Sequence, residues 1–251
     1  MAKATKGKSK KILSEASYKF LRKYINTPSP TGFESGGQKL WMDYIKPHVD
    51  EMFTDAYGSA AGIINPTEKF KVVIEAHADE ISWFVNYISD AGLIYVKRNG
   101  GVDHQIAPAK RVLIHGKKGA VKAVFGWPAI HTRMGGGERK DPQPSVENLF
   151  LDCGAKNKKE VEALGIHIGA VATYEEGYDE LAYDYIIGRA LDNRVGGFMI
   201  AEVARLLKEN KKKLPYALYV VNAVQEEIGL RGAEMIARKI KPDVAIITDV
   251  T

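Results

Sequence analysis

Apolar residues recur at helical spacing in two stretches near the start of the chain. After Ser14, an N-cap residue, Phe20, Leu21, Tyr24 and Ile25 fall on one face, and over residues 34–49 Leu40, Trp41, Tyr44 and Ile45 do the same. The segment NTPSPTGF between them is dense in Pro, Gly, Asn and Ser and reads as a turn. KVVIEAH, which follows, is a short apolar run of the kind found in strands covered on both faces. From about residue 81 to 176 the texture changes. The pieces SWFVNYI, GLIYVKR, KRVLIHG, GAVKAVFGW and HIGAVATY are separated by Gly, Pro, Asn and Asp turns, which predicts a small antiparallel barrel or sandwich.

After DYIIGRA the rhythm alternates again: a helix (VGGFMIAEVARLLKE), a strand (YALYVVNAV), a helix (GAEMIARKI) and a strand (DVAIITDV). Strands separated by helices of this length predict crossover connections and a mainly parallel sheet. The expected fold class is therefore α/β, a mainly parallel sheet flanked by helices and interrupted by an inserted β-barrel or sandwich. In residue terms, 12–80 and 177–251 form one discontinuous unit, 81–176 the insert, and 1–11 a basic tail. The stretch MGGGERKDPQP, within residues 131–144, reads as a loop.

Composition narrows the partners. The chain has 251 residues, 45% of them hydrophobic, enough for a sizeable core. Its formal charge of +5 points at first to an acidic partner, but five of the 36 basic residues are the lysines of MAKATKGKSKK, and the rest of the chain holds 31 basic and 31 acidic residues. The excess belongs to a tail with no aromatic interleaving, so no nucleic-acid partner is expected. ILSEASYKFLRKY interrupts any apolar signal core, and no run reaches the roughly 18 apolar residues of a membrane span. The single cysteine, Cys153, excludes an intrachain disulfide and a cysteine-based zinc site. A cytoplasmic protein is expected.

The polar residues change the picture most. His77 and Asp79 follow KVVIEA, Glu226 and Glu227 follow YALYVVNAV, and Asp249 follows DVAIIT, so all lie at the carboxyl ends of expected sheet strands, the edge where sites form in such sheets. Asp192, in GRALDNRVGG, precedes a helix. Singly each has a plain structural reading: Asp192 as a helix cap, Glu226 and Glu227 as an exposed turn pair, His77 as a core histidine. Together they crowd carboxylates where burial is costly unless charge is compensated. Arg189, Arg194 and Arg231 could neutralise some, but one imidazole among acids suits zinc, cobalt or manganese, and a bridging carboxylate allows two ions about 3.5–4 Å apart. One of the adjacent glutamates can then bind metal while its neighbour acts as general base to the attacking water, and Asp79 is spaced to accept the second ring N–H of His77.

The blocks EAHADEI, GRALDNRVGG, NAVQEEIGLRGA and IITDVT, in that order, resemble the tetrahedral aminopeptidase family of dinuclear metallopeptidases. NGGVDHQIAPAKRVLIHG and LFLDCGAKNKKEVEALGIHIGAVATY resemble its inserted domain. The resemblance implies an enzyme that removes N-terminal residues from peptides with two divalent ions, zinc or cobalt, or manganese. His77 would bind one ion, Asp192 would bridge both, Glu227 would bind the second and Asp249 would complete the first. Glu226 would be the general base and Asp79 the support of His77, with the Asp192-Asn193 peptide often cis. The insert would drive homo-oligomerisation of dimers into a tetrahedral dodecamer, and the 131–144 loop would extend from it. The family also continues past the position of Thr251 and draws a further histidine from there for the second ion. His48, His104, His115, His131 and His167 read as surface or structural residues. A deacylase or carboxypeptidase of the same metal plan, or a non-catalytic assembly piece, are the alternative readings.

Overall fold

The computed structural model of the chain describes residues 13–133 and 143–250; the basic tail at 1–11 and most of the glycine-rich loop lie outside the described residues. Helix α1 spans Glu15–Asn26 and begins at Ser14, whose hydroxyl accepts the Ser17 N–H at 3.1 Å. Its apolar face buries Phe20, Leu21, Tyr24 and Ile25 as the spacing predicts. Helix α2, Ser35–Ile45, stops short of residue 49 and passes into a 3₁₀ turn, Lys46–His48. Pro47 has no N–H to give the α-helical ladder, which accounts for the early stop.

Strands β1 (Glu51–Thr54) and β2 (Ala60–Ile64) form an antiparallel hairpin that the hydrophobic pattern does not announce. Its turn is made by Asp55, whose Oδ1 accepts the N–H groups of Tyr57, Gly58 and Ser59 at 3.0, 2.9 and 2.9 Å. Strand β3 is Lys71–His77. Strands β4 (Ser82–Ile88), β5 (Ile94–Asn99), β6 (Arg111–Gly116), β7 (Gly119–Gly126), β8 (Phe150–Asp152) and β9 (Val171–Tyr174) then close into a barrel of order β4-β5-β8-β7-β6-β9. Its interior is filled by a cluster that includes Trp83, Val85, Ile94, Val112, Ile114, Phe125 and Leu151. Short helices α3 (Ile130–Arg133) and α4 (Lys158–Ala163) decorate it, and a small hairpin, β10 (Asp179–Glu180) with β11 (Ile186–Ile187), leads back out.

Helix α5 (Leu191–Glu209), strand β12 (Ala217–Ala223), helix α6 (Arg231–Ile240) and strand β13 (Val244–Ile247) complete the α/β unit. The sheet order is β1-β2-β12-β3-β13. Strands β12, β3 and β13 are mutually parallel, and β2 joins β12 antiparallel, so the sheet is mixed. One face packs on α1, α2 and α5 through Leu218, Val220 and Ala76, and the other on α6 through Val73, Val221, Ile236 and Ile240. The register that matters pairs Ala223 with His77 and Ile247 with Glu75. Three parallel strands thus end side by side, and the residues after them emerge at one edge.

Candidate metal centre

His77 closes β3 and is almost fully buried. Its Nε2 lies 3.0 Å from Asp192 Oδ1, 3.8 Å from Glu226 Oε2 and 3.9 Å from Asp249 Oδ1. Asp192 reaches this edge from the first turn of α5, where the Asp192-Asn193 peptide is cis. Asn193 ties the two aspartate segments together: its Nδ2 donates to the Thr248 carbonyl at 2.6 Å, and Thr248 in turn donates from N and Oγ1 to the Glu75 carbonyl at 2.9 and 3.0 Å. Asp249 is therefore held beside Asp192 although 57 positions separate them in sequence. The side chains of Asp192 and Asp249 are each 54% exposed, so the cluster opens to solvent on their side.

Asp79 is fully buried and does more than its spacing from His77 suggests. His77 Nδ1 lies 3.2 Å from the Asp79 carbonyl oxygen and 3.4 Å from its Oδ1, so the ring is held by the main chain and the carboxylate jointly. The same carboxylate accepts the Glu226 N–H on Oδ1 at 3.0 Å and the Glu227 N–H on Oδ2 at 3.2 Å. This explains how neighbouring glutamates, which would point to opposite faces of a continuing strand, both reach the cluster. The chain leaves β12 after Ala223, turns at Gln225 with φ +55°, and docks two successive N–H groups on one buried carboxylate. The Gln225 N–H is itself accepted by buried Glu34 at 3.2 Å.

Charge is concentrated here. His77 is raised to about 9: burial opposes its charge, but the hydrogen bond and charge of Asp79 and the charges of Glu226 and Asp192 prevail. Burial raises Glu227 to about 7, with the charge of Asp192 adding to it, and raises Glu226 in the same direction. Asp79 is held below the ordinary range, because the His77 hydrogen bond and the Glu226 N–H outweigh its burial. The three arginines offered by the sequence as counter-charges are engaged elsewhere. Arg189 pairs with Glu80 at 2.9 Å, Arg194 donates to the carbonyls of Ala78, Tyr24 and Thr27 at 2.7, 2.7 and 2.9 Å, and Arg231 donates to the Ile228 carbonyl at 3.3 Å.

The donor set suits divalent cations. The donor atoms of His77, Asp192 and Asp249 all lie within 4.8 Å of one another, as do those of His77, Glu226 and Glu227. Two such groups sharing an imidazole, all nitrogen and carboxylate oxygen, match the ligands preferred by zinc, cobalt and manganese. The six residues singled out in the sequence thus converge. Of the other histidines, His115 contacts Thr173 Oγ1 in the barrel at 3.0 Å, and His48 stacks edge-on near Tyr44.

Glu75 and Thr31 escaped the sequence pattern, and Arg194 has a part other than the counter-charge expected of it. Glu75, buried on β3 two positions before His77, is raised to about 7 by burial. A carboxylate inside an apolar strand run was the available signal. Thr31 Oγ1 donates to Asp79 Oδ2 at 2.9 Å, and buried Arg194 bonds the carbonyl between His77 and Asp79. Neither contact has a local sequence signature, since each joins distant segments.

Residues 58–251 match the family described as M42 glutamyl aminopeptidase. The lysyl aminopeptidase of Pyrococcus furiosus is 31% identical over 93% of this chain and 66% of its own length. A TET aminopeptidase from a marine sediment archaeon of the Thaumarchaeota superposes with a TM-score of 0.90 at 28% identity, covering 94% of this chain and 66% of that one. The TET1 peptidase of Pyrococcus horikoshii, which assembles into a tetrahedron or a large octahedral shell, superposes with a TM-score of 0.82 at 26% identity, covering 93% and 68%. The chain spans a little under two thirds of the length of the curated relative.

Proposed function

The chain belongs to the M42 glutamyl aminopeptidase family, and on that premise we propose that its site serves metal-dependent removal of N-terminal residues from peptides. The observation that supports this reading most is the meeting of His77, Asp192, Asp249, Glu226 and Glu227 at one sheet edge while the nearby arginines are bonded elsewhere. In this reading His77 and Asp249 would hold one divalent ion and Glu227 a second, with Asp192 shared by both, and zinc or cobalt would be preferred and manganese also suited. Bound there, the ions supply Lewis-acid polarisation of the scissile carbonyl and acidify the attacking water.

The chain's own groups do the rest. Glu226 takes the water proton and returns it to the leaving amine; its carboxyl, raised by burial, is a better base near neutrality than an exposed glutamate. Asp79 fixes the His77 ring and the main chain under both glutamates. A carboxylate of the site left free by the ions would pair with the substrate ammonium. Residues 12–80 and 177–251 form the catalytic unit, and the inserted unit, 81–176, joins copies into a homo-oligomer. Among the described residues no helix is long and apolar enough to cross a membrane; a cytoplasmic location belongs to the same proposal.

Metal content and turnover of two variants test the roles. Glu226→Gln is expected to keep its metal and lose turnover of free-amine peptides by about 10²–10⁴-fold, the usual worth of a general base. Glu227→Gln is expected to lose metal first. The reverse pattern would exchange the two roles, and equal turnover of N-blocked peptides would replace the aminopeptidase reading with a deacylase.

A further inference from the structure

The barrel reaches into the metal centre. At the end of β5, buried Asn99 donates from Nδ2 to the Thr31 carbonyl at 2.9 Å and to Ser82 Oγ at 2.8 Å. Thr31 then donates from Oγ1 to Asp79 Oδ2 at 2.9 Å, the oxygen that also accepts the Glu227 N–H. The next barrel residue, Gly100, turns at φ +82°, and a methyl at its Cα would stand 3.0 Å from Glu227 Cβ and 3.4 Å from Glu227 Oε2. At Gly101 the same addition would stand 4.0 Å from Glu227 Oε2. Glu227 is thus gripped from two sides. Its main chain is held by Asp79, which Thr31 and Asn99 brace, and its side chain is walled by a glycine turn of the barrel.

We propose that the barrel turn at residues 99–101, with Thr31, positions Glu227, so that the inserted barrel helps to build the metal centre. Asn99, Gly100 and Thr31 are positioning residues: Gly100 touches the ligand, Thr31 its anchor, and Asn99 braces Thr31. The physical case is steric and geometric. A strand-end glutamate with a long side chain has several rotamers to choose from. The glycine wall removes those that lean toward the barrel, and the hydrogen-bonded brace fixes the Cα from which the side chain starts. Gly100 is needed for two reasons that act together, its left-handed φ and the 3.0 Å approach, either of which a side chain would violate. The consequence is a mechanical link. Any displacement of the barrel relative to the sheet is transmitted to Glu227 directly through the Gly100 contact, and to His77 only through Asp79, while Asp249 is held apart by Asn193 with Thr248.

The metal part of this inference rests on the reading of Glu227 as a ligand; the positioning part does not, and the test separates them. Cobalt(II) titration and amide hydrogen exchange are measured on the full 251-residue chain. Gly100→Ala is expected to speed exchange of the Glu227 amide and to weaken cobalt binding about tenfold, the usual effect of disturbing a residue behind a metal ligand. Thr31→Val, which removes only the hydroxyl donor to Asp79, is expected to act in the same direction and covers the case in which Gly100→Ala fails to fold. Gly119→Ala is the control: it imposes a side chain at φ +114° in the same barrel with no heavy atom within 4 Å, and is expected to leave both readouts unchanged. If Glu227→Gln weakens cobalt binding while Gly100→Ala and Thr31→Val change neither affinity nor exchange, the positioning role is overturned. If Glu227→Gln leaves cobalt affinity unchanged, the ligand role falls, while faster exchange in Gly100→Ala and Thr31→Val would still uphold positioning.

Discussion

Arg194 is fully buried and pairs with no carboxylate among the described residues, and its charge is met by three carbonyl oxygens and by the face of Tyr24, 3.9 Å from the guanidinium carbon. One of those carbonyls belongs to Ala78, so the guanidinium fixes the turn that carries His77 and Asp79. Two nitrogens of a planar fork make these bonds, a geometry that an ammonium does not reproduce. Arg194→Lys is therefore expected to cost on the order of 2 kcal/mol in urea unfolding, because buried carbonyls lose their donors, and to weaken cobalt binding as well. His115 offers a pH signature away from the metal centre. Burial lowers its pKa, so the unfolded chain binds the proton more readily than the folded one. The contribution of neutral His115 is present above its ordinary value of 6.5 and is lost as pH falls below it. His115→Gln is expected to flatten the fall in stability between pH 7 and pH 5, measured by urea midpoints across that range.

Helix α5 shows how an element reconciles competing demands. Its N-terminal end must bring Asp192 to the sheet edge, and its glycines permit the approach. A methyl at Gly197 would stand 2.8 Å from Tyr24 Oη and 3.0 Å from Asn222 Oδ1, and the Gly197 carbonyl accepts the Trp41 indole N–H at 2.8 Å. Helix propensity alone gives Gly197→Ala a gain of about 1 kcal/mol. Overpacking against buried Tyr24 and Asn222 costs typically about 1–3 kcal/mol. Because these neighbours are buried and hydrogen-bonded to each other, the clash is expected to win, and thermal unfolding should show a lower midpoint for the variant. The β1–β2 hairpin makes a related point. Its strands are short, β1 buries none of its residues fully, and Asp55 rather than an apolar pattern organises the turn, so the hydrophobic pattern misses it while marking β4, β7, α1 and α5.

At the scale of the whole molecule, the proposed metal centre joins four segments distant in sequence: the ends of β3, β12 and β13 and the start of α5. A cation held by the folded arrangement and not by the unfolded chain stabilises the fold by mass action, about 2.7 kcal/mol when free ion stands at a hundred times its dissociation constant. Chelator treatment is expected to lower the thermal midpoint, and added cobalt or zinc to restore it. The Glu227→Gln variant should recover less than the parent chain.

The sequence by itself determined the α/β unit and its inserted barrel, because period-2 and period-3.6 patterns are local consequences of which face each element buries. It also determined the six clustered residues, since carboxylates and a histidine placed directly after buried strands are costly without a compensating role. What only the tertiary structure decided is how those groups are held. Asp79 anchors both glutamates as well as His77, Asn193 draws Asp249 to Asp192, Arg194 serves carbonyls instead of the acids, and the barrel turn presses on Glu227. Apart from the His77–Asp79 pair, these contacts span between 55 and 170 positions of chain. Such contacts depend on where strands end relative to one another, a quantity that hydrophobic periodicity does not encode.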